Sequence, residues 1–319
     1  MQNEEHILQK ILEKYGLSGA KTQLLGSLWN RVYRVEAKNG RLYSLRLCAP
    51  AIQEKRSVEE ELAWLELIVN QQQISVPRSV RNQHQELITV VSTAEGALLS
   101  CLFEWIEGEP IKNRLTPEIM RQIGRSVATL HEITRQHGGP FHENDFRSRY
   151  QYGRCLAVSH REWIAEHRAK IGTENATFLE RAVTWLVEQL EHIGETSETF
   201  GLIHADLHFG NFLVRDGAVS VIDFDQLGNG HYLYDLATLN VELLNEPEEY
   251  VERWHSLKAG YQQVTALPFK DESELDPFIV AVQLAFLDWV YNSPNPRVNE
   301  QMGPLIPATF ASIRERMDG

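Results

Sequence analysis

One stretch of the chain combines residue types that could do chemistry. Ile203-His-Ala-Asp-Leu-His-Phe-Gly-Asn211 presents an aspartate, Asp206, and an asparagine, Asn211, directly after a short apolar run, Phe200-Gly-Leu-Ile203. A second apolar run, Val219 to Ile222, ends on Asp223-Phe224-Asp225. An aspartate on a loop can orient a substrate hydroxyl and accept its proton. An asparagine oxygen and a second carboxylate are hard oxygen donors of the kind magnesium takes. Magnesium bridges and neutralises phosphates. Phosphoryl transfer needs positioning and charge neutralisation more than covalent catalysis, so this set of residues suits that reaction.

The elements around these residues must bring them together. Phe212-Leu-Val214 reads as a strand that turns at Asp216-Gly217 into the strand Val219 to Ile222. An Asp-Gly hairpin folds the end of the later strand beside the start of the earlier one. On that reading Asp206, Asn211 and Asp223 converge. A lone His-x-Asp arises often by chance. The run His204-x-Asp206-x-x-x-x-Asn211, joined to Ile222-Asp-Phe-Asp225 with strands on both sides, is much more specific.

Upstream, Ile7, Leu8, Ile11 and Leu12 recur at helical spacing. Val32 to Val35 and Leu42 to Leu47 are strand-like and flank Asn39-Gly40, a hairpin signal. Val58 to Val69 reads as a helix, and Leu87 to Ser92 and Leu98 to Phe103 as strands. Beyond Gly108 and Pro110 the pattern turns helical. Thr116-Pro117 is a cap followed by proline at the first helical position. Further helices are expected over Ala176 to Ile193 and Phe278 to Tyr291. The expected fold class is α+β, with an antiparallel sheet and one main helix first and a larger, mostly helical part after it. The expected division is 1–104, a linker at 105–110, and 111–319.

Bulk composition narrows the function classes. The chain has 319 residues, 43% of them hydrophobic, and a formal net charge of −13. That balance argues against nonspecific nucleic-acid binding, which draws its affinity from basic residues. Cys48, Cys101 and Cys155 are an odd number without a Cys-x-x-Cys pair, so neither a disulfide framework nor a zinc cluster is expected. No signal core or membrane-length apolar run is evident. A soluble, cytoplasmic protein is the expectation, and oligomeric state is not legible.

The paired motifs resemble the catalytic and metal-binding segments of the aminoglycoside phosphotransferase/choline kinase family, bilobal relatives of the protein kinases. Ala205 stands where that family usually has glycine. The resemblance implies ATP and Mg2+ as cofactors and a small-molecule alcohol as acceptor. It implies Asp206 as base, His204 as orienter of the loop, Asn211 and Asp223 as metal ligands, and Asp225 as an assistant to the metal. Leu130-His131 and Tyr234-Asp235-Leu236-Ala237 match flanking motifs, the latter with Asp235 bracing the loop. Glu61-Leu-Ala-Trp-Leu65 resembles the helix with the ion-pairing glutamate. Phe103 to Gly108 resembles the hinge, where backbone groups of Glu104, Trp105 and Ile106 would meet adenine. Arg46 occupies the position of the usual lysine. The segment from Ser27 to Asn30 would contact phosphates. Within the family, the bacterial branch of stress-response kinases and homoserine kinase-like proteins is the most similar.

Other assignments compete. His208 reads as a loop-packing residue before it reads as a ligand. His131, His137 and His142 cannot share one helix face across Gly138-Gly139-Pro140, so packing and surface roles are favoured. Glu248, Glu249 and Glu252 read as a solvated face. The acceptor is expected near 141–170 and 240–300, with aminoglycosides, choline and homoserine among its candidates. A protein serine/threonine kinase is the alternative, and a nucleotide-binding module without transfer activity a third reading. The short stretch between Asp223 and Tyr234 favours a small acceptor over a peptide.

Overall fold

The computed structural model describes residues 2–27, 30–48, 55–93, 96–111, 114–137, 151–152, 156–244, 248–293 and 295–318. Two compact units form: Met1–Pro110 with Leu213–Asp225, and Ile111–Phe212 with Gln226–Gly319.

The first unit begins with α1 (Gln2–Lys14), β1 (Lys21–Gly26), β2 (Arg31–Glu36) and β3 (Leu42–Cys48). Next come α2 (Lys55–Gln71), β4 (Ser79–Val80), β5 (Ile88–Thr93), β6 (Gly96–Glu104) and β7 (Glu109–Pro110). The main sheet runs β1-β2-β3-β6-β4, with β5 also paired to β6. Its ladders are antiparallel. The apolar stripe of α1 explains its place: Leu8, Ile11 and Leu12 are buried in one cluster with Tyr33, Val35, Leu45, Leu47, Leu98 and Leu102. The Asn39-Gly40 turn joins β2 to β3 as expected. Gly40 has a φ of +79°, and the amide of Ala37 bonds the Arg41 carbonyl at 2.9 Å.

The second unit begins with α3 (Pro117–His137), where the Ile119 amide donates to Thr116 Oγ1 at 3.3 Å. It continues through β8 (Gln151–Tyr152), α4 (Leu156–Glu166), α5 (Arg168–Ile171), α6 (Thr173–Ile193) and β9 (Phe200–Ile203). The loop after β9 ends in one 3₁₀ turn, Phe209–Asn211. The chain then enters the first unit as β10 (Phe212–Arg215) and β11 (Ala218–Val221). Asp216 and Gly217, at φ +51° and +83°, make the tight turn between these strands. β10 also pairs with β7.

After Asp225 come β12 (Gly228–His231), α7 (Tyr232–Leu244) and α8 (Tyr250–Tyr261). The chain ends in α9 (Asp276–Asn292), α10 (Pro296–Met302) and α11 (Ile306–Asp318). β12 lies between β8 and β9. α3 and α8 cross at very short range: a Cβ on Gly124 would meet the Leu257 carbonyl oxygen at 1.9 Å, and one on Gly260 the Arg121 oxygen at 1.9 Å. No helix among the described residues is long and apolar enough to cross a membrane.

Candidate active site

In the second unit the loop from His204 to Asn211 is fixed mainly by its own backbone and by α7. The His204 ring accepts the Asp206 amide through Nδ1 at 3.3 Å, and the His208 amide returns to the Asp206 carbonyl at 2.9 Å. Asn211 Nδ2 donates to the Asp206 carbonyl at 2.7 Å and to Asp206 Oδ2 at 3.0 Å. With both amide hydrogens so committed, the Asn211 carbonyl oxygen is the atom of that side chain suited to meet a cation. His208 Nδ1 accepts the Gly210 amide at 3.0 Å, which leaves the ring proton of neutral His208 on Nε2. That Nε2 lies 3.6 Å from Asp206 Oδ2.

α7 supplies two acids to this loop. Asp235 Oδ1 accepts the Ala205 amide at 2.7 Å, and Oδ2 accepts the His204 amide at 3.1 Å. Two helical turns on, and therefore on the same face, Glu242 Oε2 accepts the Phe209 amide at 3.2 Å. Asp235 is fully buried, so its charge is satisfied by these donors and by His131 Nε2 at 3.1 Å. Ala205 has a φ of +66°, a conformation that suits glycine and strains any residue with a Cβ. The loop holds it there because the amides of His204 and of Ala205 itself both face one carboxylate.

The first unit contains the remaining expected residues. Arg46 on β3 and Glu61 on α2 are 5% and 4% exposed. They form a forked pair, Nη1 to Oε1 at 2.8 Å and Nη2 to Oε2 at 2.6 Å. Burial works against the Arg46 charge, but the Glu61 carboxylate outweighs it and holds the guanidinium charged. Arg46 Nε is a buried donor without a hydrogen-bond partner among the described residues. Asn30 Nδ2 donates to Asp225 Oδ2 at 2.7 Å, and the Asp225 charge is close enough to act on Glu61. Asp223 has a φ of +66°, a second strained position of a non-glycine residue. Phe224 beside it packs edge-on to Trp64 of α2, with ring centroids 5.6 Å apart.

The expected residues therefore gather in two sets. His204, Asp206, Asn211 and Asp235 form one in the second unit. Arg46, Glu61, Asn30 and Asp225, with Asp223 two residues before Asp225, form the other in the first. In the segment expected to meet adenine, the Glu104 amide bonds the Arg78 carbonyl at 2.9 Å and the Trp105 amide bonds the Leu42 carbonyl at 3.3 Å. Of those three amides, Ile106 is the one suited to donate to a base. Ser27 is exposed at the end of β1; Leu28 and Trp29 beside it, His142, Cys155 and much of the 141–170 stretch lie outside the described residues. Sequence reasoning gave His208 a packing role and did not single out Glu242. The repeat of an acid two turns after Asp235 was the available signal.

Both sets fit nucleotide and magnesium. The orphaned Arg46 Nε is a buried donor suited to a phosphate oxygen, and the Asn211 oxygen is a hard ligand already oriented by its own amide nitrogen.

Comparison with known proteins gives the family. Residues 22–267 match the model of the Phosphotransferase enzyme family. Amicoumacin kinase of Bacillus subtilis (strain 168) is 21% identical over 277 residues, which cover 86% of this chain and 79% of that protein. The solved microcompartment-associated aminopropanol kinase is 27% identical with a TM-score of 0.79, covering 98% of this chain and 95% of that one. Amicoumacin kinase hAmiN, solved in complex with AMP-PNP, Ca2+ and Ami, shares the fold at 19% identity and a TM-score of 0.79, over 98% of this chain and 94% of that one. The chain belongs to the phosphotransferase enzyme family and has its α+β, protein kinase-like fold.

Proposed function

We propose that this protein is a small-molecule kinase that moves the γ-phosphate of ATP to an alcohol hydroxyl. The observation that carries the reading is the state of Asp206: a carboxylate on a loop whose backbone is pinned by the buried Asp235, tied to an asparagine whose oxygen is left for a cation. Asp206 accepts the proton of the acceptor hydroxyl as that oxygen bonds to the γ-phosphorus and the bond to the departing ADP oxygen breaks. Asn211 and Asp223, with Asp225, are the residues that would hold magnesium. When bound, magnesium neutralises phosphate charge. Arg46, held charged by Glu61, meets the phosphates through Nε, and the Ile106 amide meets the base. His204 and Asp235 keep the loop in the conformation that presents Asp206.

Small amino alcohols are the first acceptors to test, because the aminopropanol kinase exceeds a quarter identity over nearly the full length of both chains. The experiment is transfer from γ-labelled ATP to a panel of amino alcohols, choline, homoserine and aminoglycosides, with a generic protein substrate alongside. Labelling of at least one small alcohol is expected. Labelling of protein alone would replace this reading with a protein kinase. Binding of nucleotide without transfer to anything would replace it with a non-catalytic module.

A further inference from the structure

Deep in the second unit a line of hydrogen bonds ends on the catalytic loop. Tyr261 Oη lies 2.9 Å from His131 Nδ1, and His131 Nε2 lies 3.1 Å from Asp235 Oδ2. Asp235 then accepts the amides of His204 and Ala205. Tyr261, His131 and Asp235 are all fully buried. Chemistry fixes the direction of each bond. Asp235 accepts at both oxygens, so His131 Nε2 must donate to it. Burial pushes the His131 pKa down, against the pull of Asp235, so the ring is neutral and its Nδ1 carries a lone pair. Tyr261 must therefore donate to that lone pair. The Arg135 guanidinium, which has only donors, faces the Tyr261 hydroxyl and leaves that oxygen to accept. Every donor then points toward Asp235, the arrangement in which successive bonds strengthen one another.

Helix packing explains how Tyr261 reaches so far. The Gly124–Gly260 crossing brings α8 almost onto the α3 backbone, and the Tyr261 amide nitrogen lies 2.9 Å from where a Gly124 Cβ would be. From there the side chain runs to His131, about two turns further along α3. A side chain on a helix at ordinary spacing of 8–10 Å would start several ångströms further away.

We propose that Tyr261 is a positioning residue for the catalytic loop: its hydroxyl fixes the His131 tautomer, His131 fixes the Asp235 carboxylate, and Asp235 fixes the backbone at His204 and Ala205 that presents Asp206. The kinetic part of this inference rests on the phosphotransfer reading; the structural part does not. Tyr261→Phe removes one hydroxyl and keeps the ring. Tyr250→Phe is the control: Tyr250 is on α8 like Tyr261, its hydroxyl accepts from Asn240 Nδ2 of α7 at 2.9 Å, and it lies outside the line. In Tyr261→Phe, kcat is expected to fall about tenfold while KM for ATP stays within about twofold, and the His204 and Ala205 amides to exchange with solvent about tenfold faster. Tyr250→Phe is expected to change neither. Unchanged kcat and exchange in Tyr261→Phe, or equal losses in both variants, would overturn the proposal. In the wild-type protein the nitrogen shifts of His131 are expected to place the proton on Nε2 at neutral pH. A proton on Nδ1 would overturn the proposal whether or not any variant folds. If the wild-type protein transfers no phosphate, the functional reading fails, and the exchange and nitrogen-shift measurements still decide the role of Tyr261.

Discussion

At the residue scale, the proposed chemistry rests on a few side chains whose types suit phosphoryl transfer. Asp206, Asn211 and Asp223 stand out because acid and amide types recur at fixed spacing. The loop that carries Asp206 and Asn211 is held locally and also by residues far along the chain, such as Glu242, whose relation to the loop exists only once α7 has formed. Arg46 is the instructive case. Its place on β3 and its pairing with Glu61 were legible, but its burial with both terminal nitrogens committed to one carboxylate was not. A buried pair is costly to break, because one charge is left alone. Glu61→Ala is expected to destabilise the protein by about 3–5 kcal/mol in urea unfolding. The double variant Arg46→Met/Glu61→Leu is expected to recover most of that stability and no activity. Ala205 makes the opposite case. A Cβ at φ +66° is strained by about 1–2 kcal/mol, while glycine costs about 0.5–1 kcal/mol more backbone entropy. Ala205→Gly is therefore expected to raise stability by about 0.5 kcal/mol, seen as a small rise in the urea midpoint.

At the scale of elements, the helices α1, α2, α3, α6 and α9 and the strands β2, β3, β5, β6, β9, β10 and β11 were legible because period and punctuation agree, whereas α4, α5, α7, α10 and α11 were not. α3 begins at Pro117, after the Thr116 cap, and the β2–β3 turn forms at Asn39-Gly40. β10 and β11 were legible as a hairpin. Their membership of the first unit was not, because it depends on the pairing of β10 with β7, residues distant in sequence and too few to show a pattern. β12 was missed for a related reason: Gly228-Asn-Gly-His231 has no strand composition and is held by its neighbours β8 and β9. The α3–α8 crossing could not be read either, since Gly124 and Gly260 look like ordinary helix-weakening glycines in isolation. Their structural role gives a sharp expectation. Gly124→Ala places a Cβ 1.9 Å from a backbone oxygen that cannot rotate away. It should cost about 3 kcal/mol or more in chemical unfolding, against a gain of about 1 kcal/mol for the same change in an uncrowded helix.

At the scale of the whole molecule, acid stability follows from histidines folded in a neutral state. Burial pushes His160 and His231 down to about 4 from an ordinary 6.5. Both bind protons more readily when unfolded, so stability is full above about 6.5 and falls as pH drops toward 4. Each contributes a slope of up to about 1.4 kcal/mol per pH unit in that window. His231 sits between the rings of Phe200 and Phe278, so His231→Phe is expected to flatten the pH dependence of unfolding by about that amount. The proposed reaction turns on Asp206 as the base for phosphate transfer from ATP. The most direct test measures magnesium-dependent phosphate transfer to a small alcohol by the wild-type protein and by Asp206→Asn, with ATP affinity measured in parallel. Transfer by the wild-type protein is expected, with a loss of about 10²–10⁴ in kcat for Asp206→Asn and ATP affinity changed little. Undiminished transfer by Asp206→Asn would contradict that role for Asp206.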